Sequence, residues 1–442
     1  MTAHVPDTPV SAHSHEPGSL GPAMAISLVI GTMIGGGIFV LPASLAPLGW
    51  NAALGWIISG GGALCLAACL RFLMQDSGEG FHAVIERVLG PLPAFLAIWA
   101  FWTAGFVSIA ALSVAAGSVV ADLFLGGAVP GADVVIALGV LTMVAGVNLA
   151  GARSAGFMQV FTVIVKLVPL LVATALIALF AASGAETKPL APAPITLPDL
   201  SQSVAITLFA LLGFESVAVP VQKIRNPGRN LPLALLGGTG IVVTLYVVVS
   251  TGLLLMIPWQ AVAISPAPIA DLLAGQLGAG WGVLTSLCVL VAMVGCVNGL
   301  MFCQGDCALS MARRGEIPPV FGRVNARGIA HWGIIASYGA AAALILTNLS
   351  RGAVDLFTFL VLVTSGGCLV FYAIGVIAAL RTNTKAARWP LIGGGVVFCG
   401  FATYGTGLEA ALWVWPLLGI GLLLRRVSQR ASLPGAGVAG AV

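Results

Sequence analysis

Charged residues are scarce in this chain. Aspartate, glutamate, lysine and arginine make up 8% of its 442 residues, whereas about 25% is usual in soluble domains. Hydrophobic residues make up 59%, and the mean hydropathy is +1.06. This composition excludes a soluble protein. It predicts an all-α membrane protein with several spanning helices, which has the lipid bilayer as a partner.

Features that would indicate other classes are missing as well. The first 20 residues contain no lysine or arginine, so they lack the positive start of a signal peptide, and residues 1–21 are expected to form a disordered cytoplasmic tail. All eight cysteines fall within apolar segments, which gives no disulfide framework and no zinc spacing. No paired nucleophile and base stands out at membrane depth, so we expect no enzyme activity, no cofactor and no metal.

Apolar segments of about 20 residues are long enough to cross a bilayer as helices. The sequence predicts twelve of them, so both termini are expected on the same side of the membrane. They cover residues 22–48, 52–74, 91–121, 134–152, 155–183, 201–220, 231–257, 280–312, 332–349, 354–380, 389–405 and 408–424.

The basic residues test this count, because lysine and arginine accumulate on the cytoplasmic side of membrane proteins. Sixteen of the 19 lie in alternate connections or after the last span, on a side that we call the basic face. They are Arg71, Arg87, Arg153, Lys223, Arg225, Arg229, Arg313, Arg314, Arg323, Arg327, Arg381, Lys385, Arg388, Arg425, Arg426 and Arg430. Both termini are therefore expected in the cytoplasm, with the chain in the inner membrane of a bacterial cell. The net charge of +4 then needs no nucleic-acid partner.

A glycine run interrupts the first predicted span. Residues 31–39 read Gly-Thr-Met-Ile-Gly-Gly-Gly-Ile-Phe. Glycine disfavours helices, so such a cluster lets a helix open and expose backbone N–H and C=O groups. In a membrane this is tolerated only where the groups are buried in protein or face water. We interpret the run as a helix break at a substrate site. The alternative is a close helix crossing, at which small residues let two backbones touch.

Two ionisable residues are predicted deep in the membrane, where such groups indicate function by default. Lys166 lies about 16 Å along the fifth predicted span, so its amine either exchanges a proton or stays charged against the carbonyls of an opened helix. Glu215 follows Gly213, a second possible break, and is expected to carry a proton or gate a cavity. A static ion pair is the alternative for Glu215. Asp306 lies near the basic cluster of Arg313 and Arg314 in sequence and is expected to form an interfacial salt bridge.

The two glycine-marked spans are the first and the sixth, so each begins a block of five. Interrupted segments in corresponding halves are typical of inverted-repeat transporters, whose binding site lies at the membrane midplane. The predicted units are a first repeat (22–183), an extracytoplasmic loop (184–200), a second repeat (201–380), two extra helices (381–426) and a cytoplasmic tail (427–442).

Three stretches carry a family pattern. They are Gly31-Thr-Met-Ile-Gly-Gly-Gly-Ile-Phe-Val-Leu-Pro, Gly213-Phe-Glu-Ser continuing to Asn226-Pro-Gly-Arg-Asn-Leu-Pro, and Gly315-Glu-Ile-Pro-Pro-Val-Phe-Gly-Arg-Val-Asn. On these stretches the chain resembles the amino acid/polyamine/organocation (APC) transporters over residues 22–425, and among them the basic amino acid/polyamine antiporters, such as the arginine/agmatine and putrescine/ornithine exchangers. The resemblance implies a LeuT-like fold of 12 helices, a five-plus-five inverted repeat with interrupted helices 1 and 6, and two extra C-terminal helices.

The resemblance also implies how a substrate is bound. The groups expected to bind the α-carboxylate, at the positive end of a half-helix, are the N–H groups of Gly35, Gly36 and Gly37. The groups expected to bind the α-ammonium are the carbonyls near Thr32, Met33, Phe209 and Leu212. Glu215 matches a glutamate that helps the antiporters switch between states. Lys166 matches a lysine of related proton-coupled permeases, where it resembles a substitute for bound sodium.

Selectivity is expected to depend on four side chains: Ser108, Phe209, Leu300 and Thr364. Phe209 matches a tryptophan that lies over the substrate in the antiporters. Leu300 replaces a second stacking tryptophan, so a guanidinium would lose a cation–π partner worth about 0.5 to 2 kcal/mol. Ser108 replaces an asparagine, whereas Thr364 keeps a hydroxyl. The predicted pocket is roomier and less polar than an arginine site.

The sequence therefore predicts a secondary active amino acid transporter that works by alternating access and does not depend on sodium. Exchange of a basic amino acid or a polyamine is what the resemblance implies. A proton-coupled permease or exporter of neutral amino acids is the alternative, and an amino acid sensor that does not transport is a more remote one. The small-molecule substrate and the bilayer are the expected partners, and a homodimer is left open.

Overall fold

The structure is a computed structural model that describes residues 22–74, 81–126, 129, 131–150, 152–215, 225–348 and 351–431. The predicted tail at 1–21, the end of the predicted sixth span at 216–220 and residues 432–442 lie outside the described residues.

Helices dominate the described part of the chain. In the first half they are α1 (Pro22–Met33), α2 (Gly37–Leu45), α3 (Trp50–Met74), α4 (Phe81–Leu89), α5 (Pro91–Leu125), α6 (Ala132–Ala150), α7 (Ala152–Ser183) and α8 (Leu197–Leu211). In the second half they are α9 (Pro227–Pro232), α10 (Thr239–Met256), α11 (Trp259–Ile264), α12 (Pro268–Leu277), α13 (Ala279–Arg313), α14 (His331–Thr347), α15 (Ala353–Thr382) and α16 (Trp389–Ala431). A π-helical segment, Leu233–Gly238, joins α9 to α10.

Eight helical stretches of the described residues are long and apolar enough to cross a membrane. They are Trp50–Met74, Pro91–Leu125, Ala132–Ala150, Val165–Ser183, Gly228–Met256, Ala279–Arg313, Ala353–Thr382 and Ala386–Arg430. The molecule is therefore an all-helical, multi-pass membrane protein among the residues described. The twelve crossings and the inverted repeat stay predictions.

Several predicted spans differ from the helices in ways that have local causes. The first predicted span is divided into α1 and α2, each of which is too short to cross a bilayer alone. The sixth begins at Leu197 rather than at 201, because the side chain of Thr196 accepts a hydrogen bond from the backbone N–H of Asp199 and caps α8. The last two predicted spans, 389–405 and 408–424, agree with the structure instead: α16 consists of two helical segments that meet at a kink at Gly407, where φ is 77° and ψ is 169°.

Small residues bring α5 and α15 together at the centre of the molecule. A Cβ atom added to Gly367 of α15 would lie 3.0 Å from the Cβ atom of Ala104 of α5, so the two backbones are nearly in contact, as in other membrane helix pairs. In contrast, α16 exposes 77% of Leu408 and 67% of Trp415. These side chains are placed to face lipid, whereas α5 and α15 supply walls for the buried centre.

Candidate functional site

The chain leaves helical geometry between α1 and α2, at residues 34–36. The backbone N–H of Ile34 still donates to Ile30 O at 2.9 Å, but the N–H of Gly35 donates to Met33 O at 2.8 Å. The first N–H groups of a helix have no partner within it, so α2 presents its positive N-terminal end at this break. The predicted interruption of this span thus lies at Ile34–Gly36.

The glycines of this break also let three other helices approach closely. A Cβ atom on Gly35 would lie 2.6 Å from Cys296 Sγ of α13, and one on Gly36 would lie 2.7 Å from Leu112 Cδ2 of α5. On Gly37 it would lie 3.2 Å from the ring of Phe209 of α8. The two interpretations of the glycine run, a helix break and a close crossing, therefore describe the same place.

A second break follows α8. Leu212 is extended, with φ −63° and ψ 146°, and Gly213 has φ +117°, a conformation that residues with a Cβ atom rarely adopt. The Thr32 hydroxyl at the end of α1 donates to Gly213 O at 3.0 Å. A Cβ atom on Gly213 would lie 2.8 Å from Thr32 O. The two interruptions are thus in direct contact.

Glu215 is placed by this second break. Its side chain is buried, and Oε2 accepts hydrogen bonds from the backbone N–H of Gly213 at 3.1 Å and from the hydroxyl of Tyr372 at 2.8 Å. Phe214 stacks on the Tyr372 ring, with centroids 5.4 Å apart and an interplanar angle of 13°. Both donors are neutral, so these hydrogen bonds are not an ion pair. They join the broken end of α8 to α15.

Lys166 is buried in α7, and its ammonium nitrogen donates to Gly31 O in the last turn of α1. This carbonyl lies near the C-terminal end of α1, where the helix dipole favours a positive charge. The contact is of the kind expected for a lysine that lies against an opened helix. Whether this amine exchanges a proton stays a prediction.

A tyrosine that the sequence analysis did not single out holds the first break. Tyr246 of α10 is fully buried, and its hydroxyl donates to Met33 O at 2.9 Å. Its ring lies edge-on to Trp56, whose Nε1 donates to Ser250 Oγ at 2.8 Å. The chain has only four tyrosines, and a buried tyrosine hydroxyl usually finds a polar partner. A tyrosine in a predicted span was therefore a usable sign of a nearby exposed carbonyl.

The four predicted selectivity residues lie on the helices around the breaks. Phe209 is 6% exposed and contacts Gly37 as described. Ser108 lies one turn before Leu112, and Leu300 lies one turn after Cys296, so each shares a helix face with a residue that touches the glycine run. Ser108, Phe209 and Thr364 are buried and Leu300 is partly buried.

Thr364 has a different setting from the other three. Its hydroxyl donates to Leu360 O at 2.8 Å within α15, which leaves its oxygen able to accept a hydrogen bond. The adjacent Ser365 donates to Ala205 O of α8 at 2.8 Å. All four side chains are uncharged, and their roles in substrate selection stay predictions.

Arg314 of the basic cluster forms an ion pair with a carboxylate of another helix. Its Nη1 atom lies 2.6 Å from Glu86 Oε2 of α4, while Asp306, which was expected near Arg313 and Arg314, interacts electrostatically with Arg313. Because Glu86 and Arg314 are far apart in the chain, sequence proximity gave no sign of this pair. It ties α4 to the connection after α13 at the basic face.

These observations define an all-helical membrane protein with two helix interruptions that meet at a buried centre. The sequence matches the amino acid permease family over residues 20–427, and the chain belongs to this family of APC transporters. It is therefore a membrane transporter and not an enzyme.

Three relatives are 26 to 29% identical to the chain over the residues that align. The serine/threonine exchanger SteT of Bacillus subtilis (strain 168) is 29% identical over 68% of this chain and 69% of its own length. The cadaverine/lysine antiporter of Escherichia coli (strain K12) is 29% identical over 74% of each chain. The putrescine transporter PotE of Escherichia coli (strain K12) is 26% identical over 89% of this chain and 92% of its own length.

Proposed function

We propose that this protein exchanges amino acids or polyamines across the membrane by alternating access. One observation carries the proposal: both helix interruptions meet at the buried centre, where the Thr32 hydroxyl donates to Gly213 O. Interrupted helices in such a position present backbone N–H and C=O groups to a substrate at the midplane. The proposed architecture has twelve crossings in a five-plus-five inverted repeat with two extra helices. Its basic face lies toward the cytoplasm.

Backbone groups are the proposed contacts for the α-carboxylate and the α-ammonium group, which all amino acids share. The N–H groups of Gly36 and Gly37 at the start of α2 would bind the α-carboxylate. Carbonyls near Thr32 and Phe209 would bind the α-ammonium. Gly35 N and Met33 O are hydrogen-bonded to each other, so their use requires the break to open. This requirement links substrate binding to a change in the break itself.

Glu215 is the proposed proton carrier, since its carboxylate joins the second break to α15. The variant Glu215→Gln keeps an oxygen that accepts hydrogen bonds from Gly213 and Tyr372 but cannot ionise. We expect it to bind substrate and to lose the pH dependence of transport, measured as uptake into proteoliposomes between pH 5.5 and 8. The matched control is Glu186→Gln, which changes an exposed residue. Unchanged pH dependence in Glu215→Gln would make Glu215 a structural group.

Lys166 is proposed to take the place of a sodium ion, because an ammonium beside Gly31 O would repel a cation bound at the same place. Transport is therefore expected to be the same with and without a sodium gradient. Sodium-driven uptake that persists in Lys166→Ala would contradict this assignment.

Two substrate classes follow from different observations. The relatives named as cadaverine/lysine antiporter and putrescine transporter favour a basic amino acid or a polyamine. The second candidate is a small neutral amino acid. It is favoured by the uncharged side chains of Ser108, Phe209, Leu300 and Thr364, which offer no carboxylate to a cationic side chain, and by the serine/threonine exchanger among the relatives.

Counterflow separates the two classes. Proteoliposomes containing the full chain are preloaded with lysine, cadaverine, putrescine, serine or threonine, and the uptake of labelled substrate from outside is followed. We expect uptake to be faster with one class of internal substrate than in empty vesicles. Faster uptake with internal lysine or a polyamine supports the first class, and faster uptake with serine or threonine supports the second. Binding without any counterflow would contradict exchange and indicate a sensor.

A further inference from the structure

A cavity of about 240 Å³ opens at the basic face, away from the two helix breaks. Three elements form it: the end of α3, the helix α4, and the segment that runs from the end of α15 to the start of α16. Three basic side chains line it, Arg87, Lys385 and Arg388. No acidic side chain is among its described lining residues. Thr382 and Thr384 add two hydroxyl groups.

Basic residues are expected on this face for topological reasons alone. Their gathering around one cavity is a separate observation, and two of them, Lys385 and Arg388, come from the short connection between α15 and α16. The Arg388 guanidinium carbon lies 4.5 Å from the centroid of the Phe72 ring. An arginine stacked in this way keeps its in-plane N–H donors available, and their fork matches the oxygens of a phosphate group.

The surroundings of the cavity place it at the level of lipid headgroups. Phe72 of α3 and Val88 of α4, both partly buried, add an apolar wall beside the three cations. Trp389 follows Arg388 directly and is 50% exposed, and tryptophan is enriched where membrane and water meet. Basic pockets between helices at this face are typical of sites for anionic headgroups.

We propose that this cavity is a binding site for a phosphate group, supplied by an anionic phospholipid. The inference depends on the membrane location of the protein and not on its transport substrate. The apolar wall favours the lipid over free phosphate, because a lipid places acyl chains beside its headgroup.

Native mass spectrometry of the full chain in detergent tests the proposal. The protein is titrated with phosphatidylglycerol and, separately, with phosphatidylcholine. The cavity variant carries Lys385→Gln and Arg388→Gln. The control variant carries Arg323→Gln and Arg426→Gln, which remove the same charge from exposed residues of the same face.

We expect the wild-type protein and the control variant to bind phosphatidylglycerol in preference to phosphatidylcholine. Each cation near a membrane surface contributes about fivefold to the binding of anionic lipid, so the cavity variant is expected to bind about 25-fold more weakly. If the cavity variant does not fold, Lys385→Gln alone preserves the contact of Arg388 with Phe72 and is expected to lose about fivefold.

A second titration distinguishes the source of the phosphate. Inorganic phosphate is added at millimolar concentration while bound phosphatidylglycerol is counted. Retention of the lipid supports a lipid site, and its displacement in the wild-type protein with no effect on the cavity variant assigns the site to free phosphate. Equal lipid binding by the cavity and control variants would overturn the proposal.

Discussion

At the buried centre, Lys166 and Glu215 each have hydrogen-bond partners, whereas at the basic face His82 and Glu316 lie close together with polar atoms that have none among the described residues. Lys166 donates to a carbonyl, and Glu215 accepts from two donors. Both ring nitrogens of His82 and Oε2 of Glu316 are buried without a hydrogen-bond partner. The nearest approach, His82 Nε2 to Glu316 Oε1, is 3.7 Å, which is too long for a hydrogen bond.

In the first region, hydrogen-bond partners stabilise the ionisable side chains. In the second region, burial without such partners shifts their pKa values. Burial raises the pKa of Glu316 to about 7, against the opposing effect of Arg425 and Arg314 and with a further contribution from Glu86. Burial and the charge of Arg314 lower the pKa of His82 to about 4, and Glu86 opposes this. At the centre, backbone groups at or beside the two breaks and the hydroxyl of Tyr372 supply hydrogen-bond partners for Lys166 and Glu215. At the basic face, no group of the described residues forms a hydrogen bond with the ring nitrogens of His82 or with Glu316 Oε2.

The largest expected effect at the centre comes from the backbone of Gly213. Its φ of +117° and the 2.8 Å distance from an added Cβ atom to Thr32 O both oppose any side chain. We expect Gly213→Ala to destabilise the protein by about 3 kcal/mol, since backbone strain of this kind costs 1 to 3 kcal/mol before any clash. Thermal unfolding in detergent measures the loss, and counterflow is expected to fall with it.

Gly36→Ala is the matched control for the other break. Gly36 has φ −66°, which any residue adopts, and its added Cβ atom would meet the Leu112 and Met293 side chains. These side chains can shift, so the expected cost is about 1 to 2 kcal/mol, as for overpacking. A larger loss of stability in Gly36→Ala than in Gly213→Ala would mean that the space around each glycine, and not its φ angle, determines the cost of adding a side chain at the breaks.

The breaks were predictable from the sequence, but the side chains that hold them mostly were not. Glycines in an apolar span are a local sign, because exposed backbone groups there must be buried or face water. Tyr246, Tyr372 and Cys296 reach the breaks from other helices, and a single sequence does not determine such packing. The cluster of His82 and Glu316 was missed for the same reason, since α4 and the connection after α13 meet only in the folded chain.

The next largest effect concerns the basic face and depends on pH. In the folded state around pH 5.5 to 6, Glu316 holds a proton and His82 does not. In the unfolded state, with ordinary pKa values of 4.5 and 6.5, the proton is on His82 instead. Both states therefore bind one proton at these two groups, and their contribution to stability is nearly constant between pH 5 and 6.5.

Removing either side chain should make the stability of the protein depend on pH, and the two variants should show slopes of opposite sign. In Glu316→Gln, only unfolded His82 binds a proton in this range, so stability should rise with pH by about 1.4 kcal/mol per pH unit. In His82→Gln, only folded Glu316 binds one, so stability should fall with pH at about the same rate. Unfolding temperatures measured from pH 5 to 6.5 test both variants. Equal slopes in the two variants would show that the pair does not titrate as described.

The smallest effect tests whether neutral donors hold the first break. Tyr246→Phe removes the hydrogen bond from the tyrosine hydroxyl to Met33 O. Met33 O still accepts a hydrogen bond from the N–H of Gly35. No buried acceptor is then left wholly unpaired, so the expected loss is about 1 kcal/mol, the net value of one hydrogen bond.

Tyr338→Phe is the control for this variant, because the Tyr338 hydroxyl contacts Thr142 Oγ1 away from the breaks, and Thr142 keeps its own hydrogen bond to Leu138 O after the change. Its expected loss is below about 0.5 kcal/mol. If the two variants are destabilised by the same amount, the conformation of the break depends on the packing of its glycines and not on the Tyr246 hydroxyl. If Tyr246→Phe loses more and also changes the substrate concentration that half-saturates counterflow, the tyrosine sets how readily Met33 O and Gly35 N separate. One neutral hydrogen bond would then oppose the opening of the first break, in contrast to the basic face, where His82 and Glu316 titrate.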